Sequence, residues 1–222
     1  MMATDVRNKT FMTAAVTALM LLCLVTGIGS PVSGAEFGDI ELGFYGLGSW
    51  PVDKPIFNQG VVEDASLQNG FGGGVKVSLF PNFTRRIVGM EIDSSGHGSA
   101  ISFGGRGAGM QSAHSHSDLL VFNTMINVLV RYPGERIQPY VGIGGGWTHG
   151  ILLNPNIAGR SDQDFEAARA LGYQFLAGAR VNISPRVFLF GEYRYFSANY
   201  HWEGLALDFR AQYGVAGFGL RF

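Results

Sequence analysis

The side chains best equipped for chemistry in this 222-residue chain are five histidines, His97, His114, His116, His149 and His201, and one serine, Ser197. His114-Ser115-His116 sets two imidazoles on one side of an extended segment, with His97 in the same stretch. Such rings invite zinc, but a stable site needs three or four fixed ligands. The surrounding GHGSAISFGGRGAGMQSAHSHS is too rich in glycine to fix them, so solvated loop histidines are expected, with no metal and no cofactor. Ser197, within YRYFSANYHWEG, would be a nucleophile only beside a positioned base. Tyr195 stands two residues ahead of it, where a histidine is wanted, and His201 follows four residues later at a loop edge. Catalysis is not expected.

A second group is ionic. Glu41, Lys76, Glu91, Arg131, Gln174, Arg180, Glu192 and Arg194 recur inside otherwise greasy segments. If the apolar residues of those segments face lipid, these eight converge on an interior just wide enough to be filled by side chains. Both signs are present, and an unpaired charge there would be costly. The expectation is a paired network, with Glu91 and Glu192 against Lys76, Arg180 and Arg194. A gate worked by switching partners is the sharper alternative to a structural plug.

The elements that must carry these groups are strands. Eight segments alternate in character, near 37–50, 69–80, 85–93, 118–132, 136–148, 170–183, 186–197 and 207–222. In one of them Tyr173, Phe175, Ala177, Ala179 and Val181 share a face opposite Gln174, Gly178, Arg180 and Asn182. In another, Leu120, Phe122, Ile126, Val128 and Val130 oppose Asn123, Asn127 and Arg131. Period-2 alternation of this length predicts strands. The connections alternate as well: tight turns at 81–84, 133–135 and 184–185, long stretches near 51–68, 94–117 and 149–169, and a shorter one near 198–206. Short turns on one side and long loops on the other are the asymmetry of outer-membrane barrels, with both termini on the periplasmic side.

Aromatic placement agrees. Trp50, Trp147 and Trp202 fall at predicted outer strand ends, and Phe37, Phe80, Phe83, Tyr132 and Phe222 at inner ends, as two girdles at headgroup depth. The chain ends on an apolar-alternating strand in which Phe218, Leu220 and Phe222 share one face, expected to serve as the signal read by the barrel-assembly machinery. A soluble barrel, with its apolar face turned inward, has no use for that terminal Phe. One misfit stands: Phe209, Ala211 and Tyr213 run in the opposite phase, which a bulge near Gly214 would reconcile. The runs Gly72-Gly73-Gly74 and Gly144-Gly145-Gly146 lie inside strands and mark curvature or room for bulky interior neighbours.

Residues 1–35 are read as a cleaved signal peptide: Arg7 and Lys9, an apolar stretch from Phe11 to Ile28, then Ser33-Gly34-Ala35. Cys23, the sole cysteine, leaves with it. The remaining 187 residues carry a net charge of −2, because Asp5, Arg7 and Lys9 are removed, and so offer nothing to nucleic acid.

The stretches NVLVRYPGERIQPYVGIGGGW, GYQFLAGARVNISPRVFLFGEYRYF and YGVAGFGLRF resemble the outer-membrane β-barrel domain family. Its small eight-stranded members include the transmembrane domain of outer-membrane protein A and related surface antigens. The resemblance spans 36–222 and implies an all-β, eight-stranded antiparallel up-and-down transmembrane barrel in the outer membrane. It implies a non-enzymatic surface protein with a structural, adhesin or antigen role, in contact with outer-membrane lipids, lipopolysaccharide and an extracellular ligand. A narrow gated pore, or a lipid A-modifying enzyme of the kind that uses a His–Ser pair, are the alternatives within such barrels. Closure within one chain makes a monomer the default.

Overall fold

The computed structural model describes residues 38–52, 56–58, 61–104, 115–153, 165–202 and 205–222. The expected leader, Phe37 and His114 lie outside this set. Ten strands follow in chain order: β1 (Gly38–Pro51), β2 (Ile56–Asn58), β3 (Val61–Leu67), β4 (Gly70–Pro81), β5 (Val88–Gly104), β6 (Ser115–Arg131), β7 (Ile137–Leu153), β8 (Phe165–Asn182), β9 (Val187–Trp202) and β10 (Leu205–Arg221). The short β2 and β3 prolong β1 and β4, pairing with the same neighbours, β10 and β5, higher up. The barrel therefore has eight staves, each antiparallel to the next.

Closure is made by the first and last strands, in register from Glu41↔Arg221 to Pro51↔Ala211. Beyond the ladder, Phe222 N–H donates to the Ile40 carbonyl at 2.9 Å, so the seam is bonded to the last residue. A closed ladder leaves no unpaired edge within lipid. The inner turns are tight. Thr84 Oγ1 donates to the carbonyls of Pro81 and Val88, each at 2.8 Å, and Arg85 and Arg86 adopt φ of 54° and 59° to reverse the chain. Ser184 Oγ accepts from Val187 N–H at 3.1 Å in the last of them.

Alternation sets the two faces. Gln174, Leu176 and Arg180 of β8 are buried inward while Tyr173, Phe175 and Ala177 are exposed outward. The strands run much farther out than the sequence pattern marks: β5 continues to Gly104, not 93, and β8 begins at Phe165, not 170. Much of the expected long loops at 94–117 and 149–169 is therefore strand. β8 has 18 residues, where a tilted crossing of the bilayer takes about 9–11. The outer part of the sheet extends as a collar past the exposed apolar belt, and there the apolar alternation of the outward face disappears. No bulge interrupts β10 near Gly214; its pairings with β1 and β9 are continuous through that point.

Candidate functional site

The interior has two layers. Toward the inner end, Asp39, Glu41, Glu91, Asp93 and Glu192 face Lys76, Arg131, Arg180, Arg194 and Arg221, and Arg86 of the first inner turn reaches Asp39 at 3.2 Å. Glu41, on β1, is its hub: it accepts from Arg131 at 2.9 Å, from Arg221 at 3.0 Å and from Arg180. A second knot forms where Lys76 bonds Glu192 and lies 3.5 Å from Glu91, while Arg194 bridges Glu192 at 2.6 Å and Asp93 at 3.1 Å. Tyr45, Ser78 and Asn127 donate to Asp93 or Glu91 at 2.7–3.0 Å. Gln174 extends the chain through Asn127 at 2.7 Å. Aromatic rings cover the cations, with Arg131 3.8 Å from the Phe80 centroid and Lys76 4.0 Å from that of Phe190. All seven charged residues singled out from sequence face this interior, though Arg180 joins Glu41 and not Glu91 or Glu192. Asp39, Asp93 and Arg221 were missed; they lie on the same faces two residues from Glu41, two from Glu91 and at the chain end, a spacing that parity alone reveals.

Toward the outer end aromatic and aliphatic side chains dominate the interior, with Thr148 donating to Asn123 at 2.6 Å and bonded to the Tyr200 hydroxyl among them. Leu47, Leu119, Val121, Phe196, Tyr200, Phe209 and Tyr213 pack there, with Phe196 5.8 Å from Tyr213 and 6.1 Å from Phe209 between ring centroids. This layer explains the phase reversal of β10: Phe209, Ala211, Tyr213 and Val215 point inward, whereas Phe218 and Leu220 point to lipid. His97 belongs here too. It is not a loop residue but lies on β5, 4% exposed, against Tyr213 at 5.1 Å, with neither ring nitrogen hydrogen-bonded among the described residues.

Outside, an apolar belt runs from Val88, Val130 and Ile137 at the inner end to Phe122, Trp147 and Leu171 farther out, all exposed. Tyr132 and Phe222 are exposed at its inner margin, Trp50 and Trp147 at its outer one. Trp202 lies on β9, its side chain outside the described set. Phe80 departs from the expected girdle: it points inward, fully buried beneath Arg131. Residues 19–222 match the model of the outer membrane protein beta-barrel domain. The chain belongs to this family.

The same barrel is found in Neisserial surface protein A, with a TM-score of 0.54 at 12% identity, covering 83% of this chain and 99% of that one. The attachment invasion locus protein Ail of Yersinia pestis, solved with the heparin analogue sucrose octasulfate, aligns at 16% identity and a TM-score of 0.47 over 84% and 99% of the two chains. The N-terminal barrel of Pseudomonas aeruginosa OprF aligns at 14% identity and a TM-score of 0.43 over 84% and 98%. No curated protein sequence matches.

Within this outer-membrane barrel the remaining candidates scatter. His149 is half-buried and His201 exposed, both on outward faces, and His116 is on β6. Among the described residues no three His, Cys, Asp or Glu side chains converge as a metal site. Ser197 is outward but buried, and β9 stays regular to Trp202, which sets His201 about 13 Å along the strand from it. The inward glycines serve the interior: a Cβ on Gly144 would collide with Asn127 Oδ1, and one on Gly74 with the Tyr45 hydroxyl.

Proposed function

We propose that this protein is a non-enzymatic surface protein of the outer membrane, whose collar of prolonged strands meets extracellular partners as an adhesin or antigen. One observation carries the reading: strands of 16–18 residues lift β-structure well beyond the apolar belt, above an interior filled with side chains. A pore reading is disfavoured because the aromatic layer lies in series with the ionic one, and an ion crossing apolar packing loses its hydration without replacement. An enzyme reading is disfavoured because β9 stays regular between Ser197 and His201, about 13 Å apart along the strand. The fold-level likeness to a protein named as a surface protein is in keeping with this role. In this reading Glu41, Lys76, Glu91, Arg131, Arg180, Glu192 and Arg194 are a structural plug, Trp50, Trp147, Trp202, Tyr132 and Phe222 anchor the barrel at the two interfaces, and Phe218, Leu220 and Phe222 present the assembly signal. Lipopolysaccharide and the barrel-assembly machinery are its partners in the membrane, and the barrel is a monomer.

The test compares cells displaying the full chain with cells displaying a version shortened within 102–116 and 151–167. Adhesion to epithelial cells or immobilised matrix should fall in the shortened version while the heat-modifiable barrel band persists. Equal adhesion by both, or altered lipid A masses on overexpression, would overturn the reading.

A further inference from the structure

The barrel wall bulges where β3 meets β4. The β4–β5 ladder runs out to Phe71↔Gly98, and pairing resumes between β3 and β5 at Leu67↔Ile101. Three residues, Gln68, Asn69 and Gly70, therefore stand opposite two, Ser99 and Ala100, which is a β-bulge. The extra residue is pinned: Gln68 N–H donates to the Ala100 carbonyl at 2.8 Å, and Ser99 Oγ donates to the Gln68 carbonyl. Its consequence is a break in parity. Leu67 and Gly70 are both buried while Gln68 and Asn69 between them are both exposed, so two neighbouring carboxamides reach the outside where alternation allows one.

Those amides form one wall of a trough. Its floor is Gly98 and Ala100 on the outward face of β5, and its far wall is β6, where Leu120 is the partner of Gly98 and Asp118 the partner of Ala100. Walls two strand spacings apart stand about 9–10 Å from each other. Phe71, 81% exposed, opposes Leu120 across Gly98 at the lower end, and the bulge opposes Asp118 across Ala100 at the upper end. The cleft they line holds about 440 Å³, within the range of small-molecule sites. Its floor is open, since a Cβ on Gly98 would meet nothing nearer than Leu120 Cδ2 at 3.4 Å.

The lining is selective. Asp118 is exposed, is the single charged side chain of the cleft, and has no partner among the described residues. A carboxylate with no cation beside it repels phosphate and sulfate and accepts hydrogen bonds from hydroxyls. The two carboxamides both donate and accept, and the Phe71 ring offers a flat apolar face. A neutral pyranose ring has the matching parts, adjacent hydroxyls at its edge and C–H groups on its face.

We propose that this bulge cleft binds a neutral saccharide unit of an extracellular glycan, with Asp118 and Asn69 bonding its hydroxyls, Gln68 flanking them and Phe71 stacked on its C–H face. The sugars of lipid A carry phosphates, which Asp118 repels, so the membrane's own lipid is not the source. The assignment rests on the adhesin reading above and names its ligand class.

The test applies the barrel in lipid nanodiscs to an array of immobilised neutral oligosaccharides, their sulfated counterparts, a lysine-rich peptide and the phosphorylated core oligosaccharide of lipopolysaccharide. The unaltered protein should be retained on neutral oligosaccharides. Asp118→Asn should weaken that binding about tenfold, the order of one charge-assisted bond. Gly98→Val, which fills the floor and removes no wall, should abolish it, with the heat-modifiable band reporting that the barrel has folded. Glu135→Gln, an equal charge change in an inner turn, should leave it unchanged. An array silent toward the unaltered protein, a result that needs no variant to fold, would overturn the saccharide site, while the cell-adhesion comparison decides the adhesin reading separately. Equal retention of Asp118→Asn and Gly98→Val would overturn its location. Stronger retention on sulfated sugars, the peptide or the core oligosaccharide would overturn the neutral, external assignment.

Discussion

Glu41 on the first strand and Arg221 on the last are direct register partners, and Arg221 Nε donates to Glu41 Oε1 at 3.0 Å. The residue that joins the two ends of the barrel is also the one that holds Arg131 and Arg180 in the interior. Closure and interior packing are therefore coupled through one carboxylate, 1% exposed.

Replacing that carboxylate should be severe. Glu41→Gln leaves three arginines facing an uncharged amide, and breaking a buried pair costs about 3–5 kcal/mol. Urea unfolding of the refolded barrel, followed by tryptophan fluorescence, should register a loss of that order. A loss below about 1 kcal/mol would mean that Asp39, which already pairs with Arg131 at 2.7 Å, and water compensate the inner-end cations without Glu41.

Adjacent glycines should respond oppositely. A Cβ on Gly144 enters the interior against Asn127, which itself donates to Glu91, so Gly144→Ala should cost about 1–3 kcal/mol by overpacking. Gly145 faces outward with nothing nearer than 3.6 Å to an added Cβ, so Gly145→Ala should change stability by less than about 0.5 kcal/mol. Paired unfolding curves decide it, and similar costs at the two sites would contradict the inward–outward assignment.

The two interior layers act in series, so loosening one should not open a path. Glu192→Gln removes the carboxylate shared by Lys76 and Arg194. In a planar bilayer it should stay as silent as the unaltered protein, because Phe196, Phe209 and Tyr213 still pack above. Discrete conductance steps from Glu192→Gln alone would show that the ionic layer was the only seal.

His149 reports on the collar. Burial first, and then the guanidinium of Arg169, hold its imidazole below the ordinary histidine range. Removing the cation in Arg169→Gln should raise that pKa, so the ring remains protonated to higher pH. Following its carbon-bound protons by NMR through a pH titration measures the shift. An unchanged or lower midpoint would mean that Arg169 does not act on this imidazole in the membrane-embedded protein.

The architecture was legible in the sequence because a membrane barrel imposes a contrast between lipid and interior on alternate residues. Where that contrast exists, as at Tyr173–Val181 or Phe122–Val130, parity assigns every side chain to a face, and counting the runs yields eight staves.

The contrast fails in two places, and there only the tertiary structure decided. Beyond the apolar belt the outward face no longer has to be apolar, and the inward face of β5 carries Ser95, His97 and Ser99, so the outer halves of β5 and β8 show no apolar period and read as loops. In the outer half of the interior large apolar rings point inward, so Phe209 and Tyr213 looked like a slipped register; Phe80 at the inner end and His97 at the outer one are inward residues that looked like surface groups. Which charge meets which was also beyond the sequence. Arg180 and Glu41 are 139 residues apart in the chain, and their contact depends on strand stagger and barrel closure, quantities that no local pattern of residue types encodes.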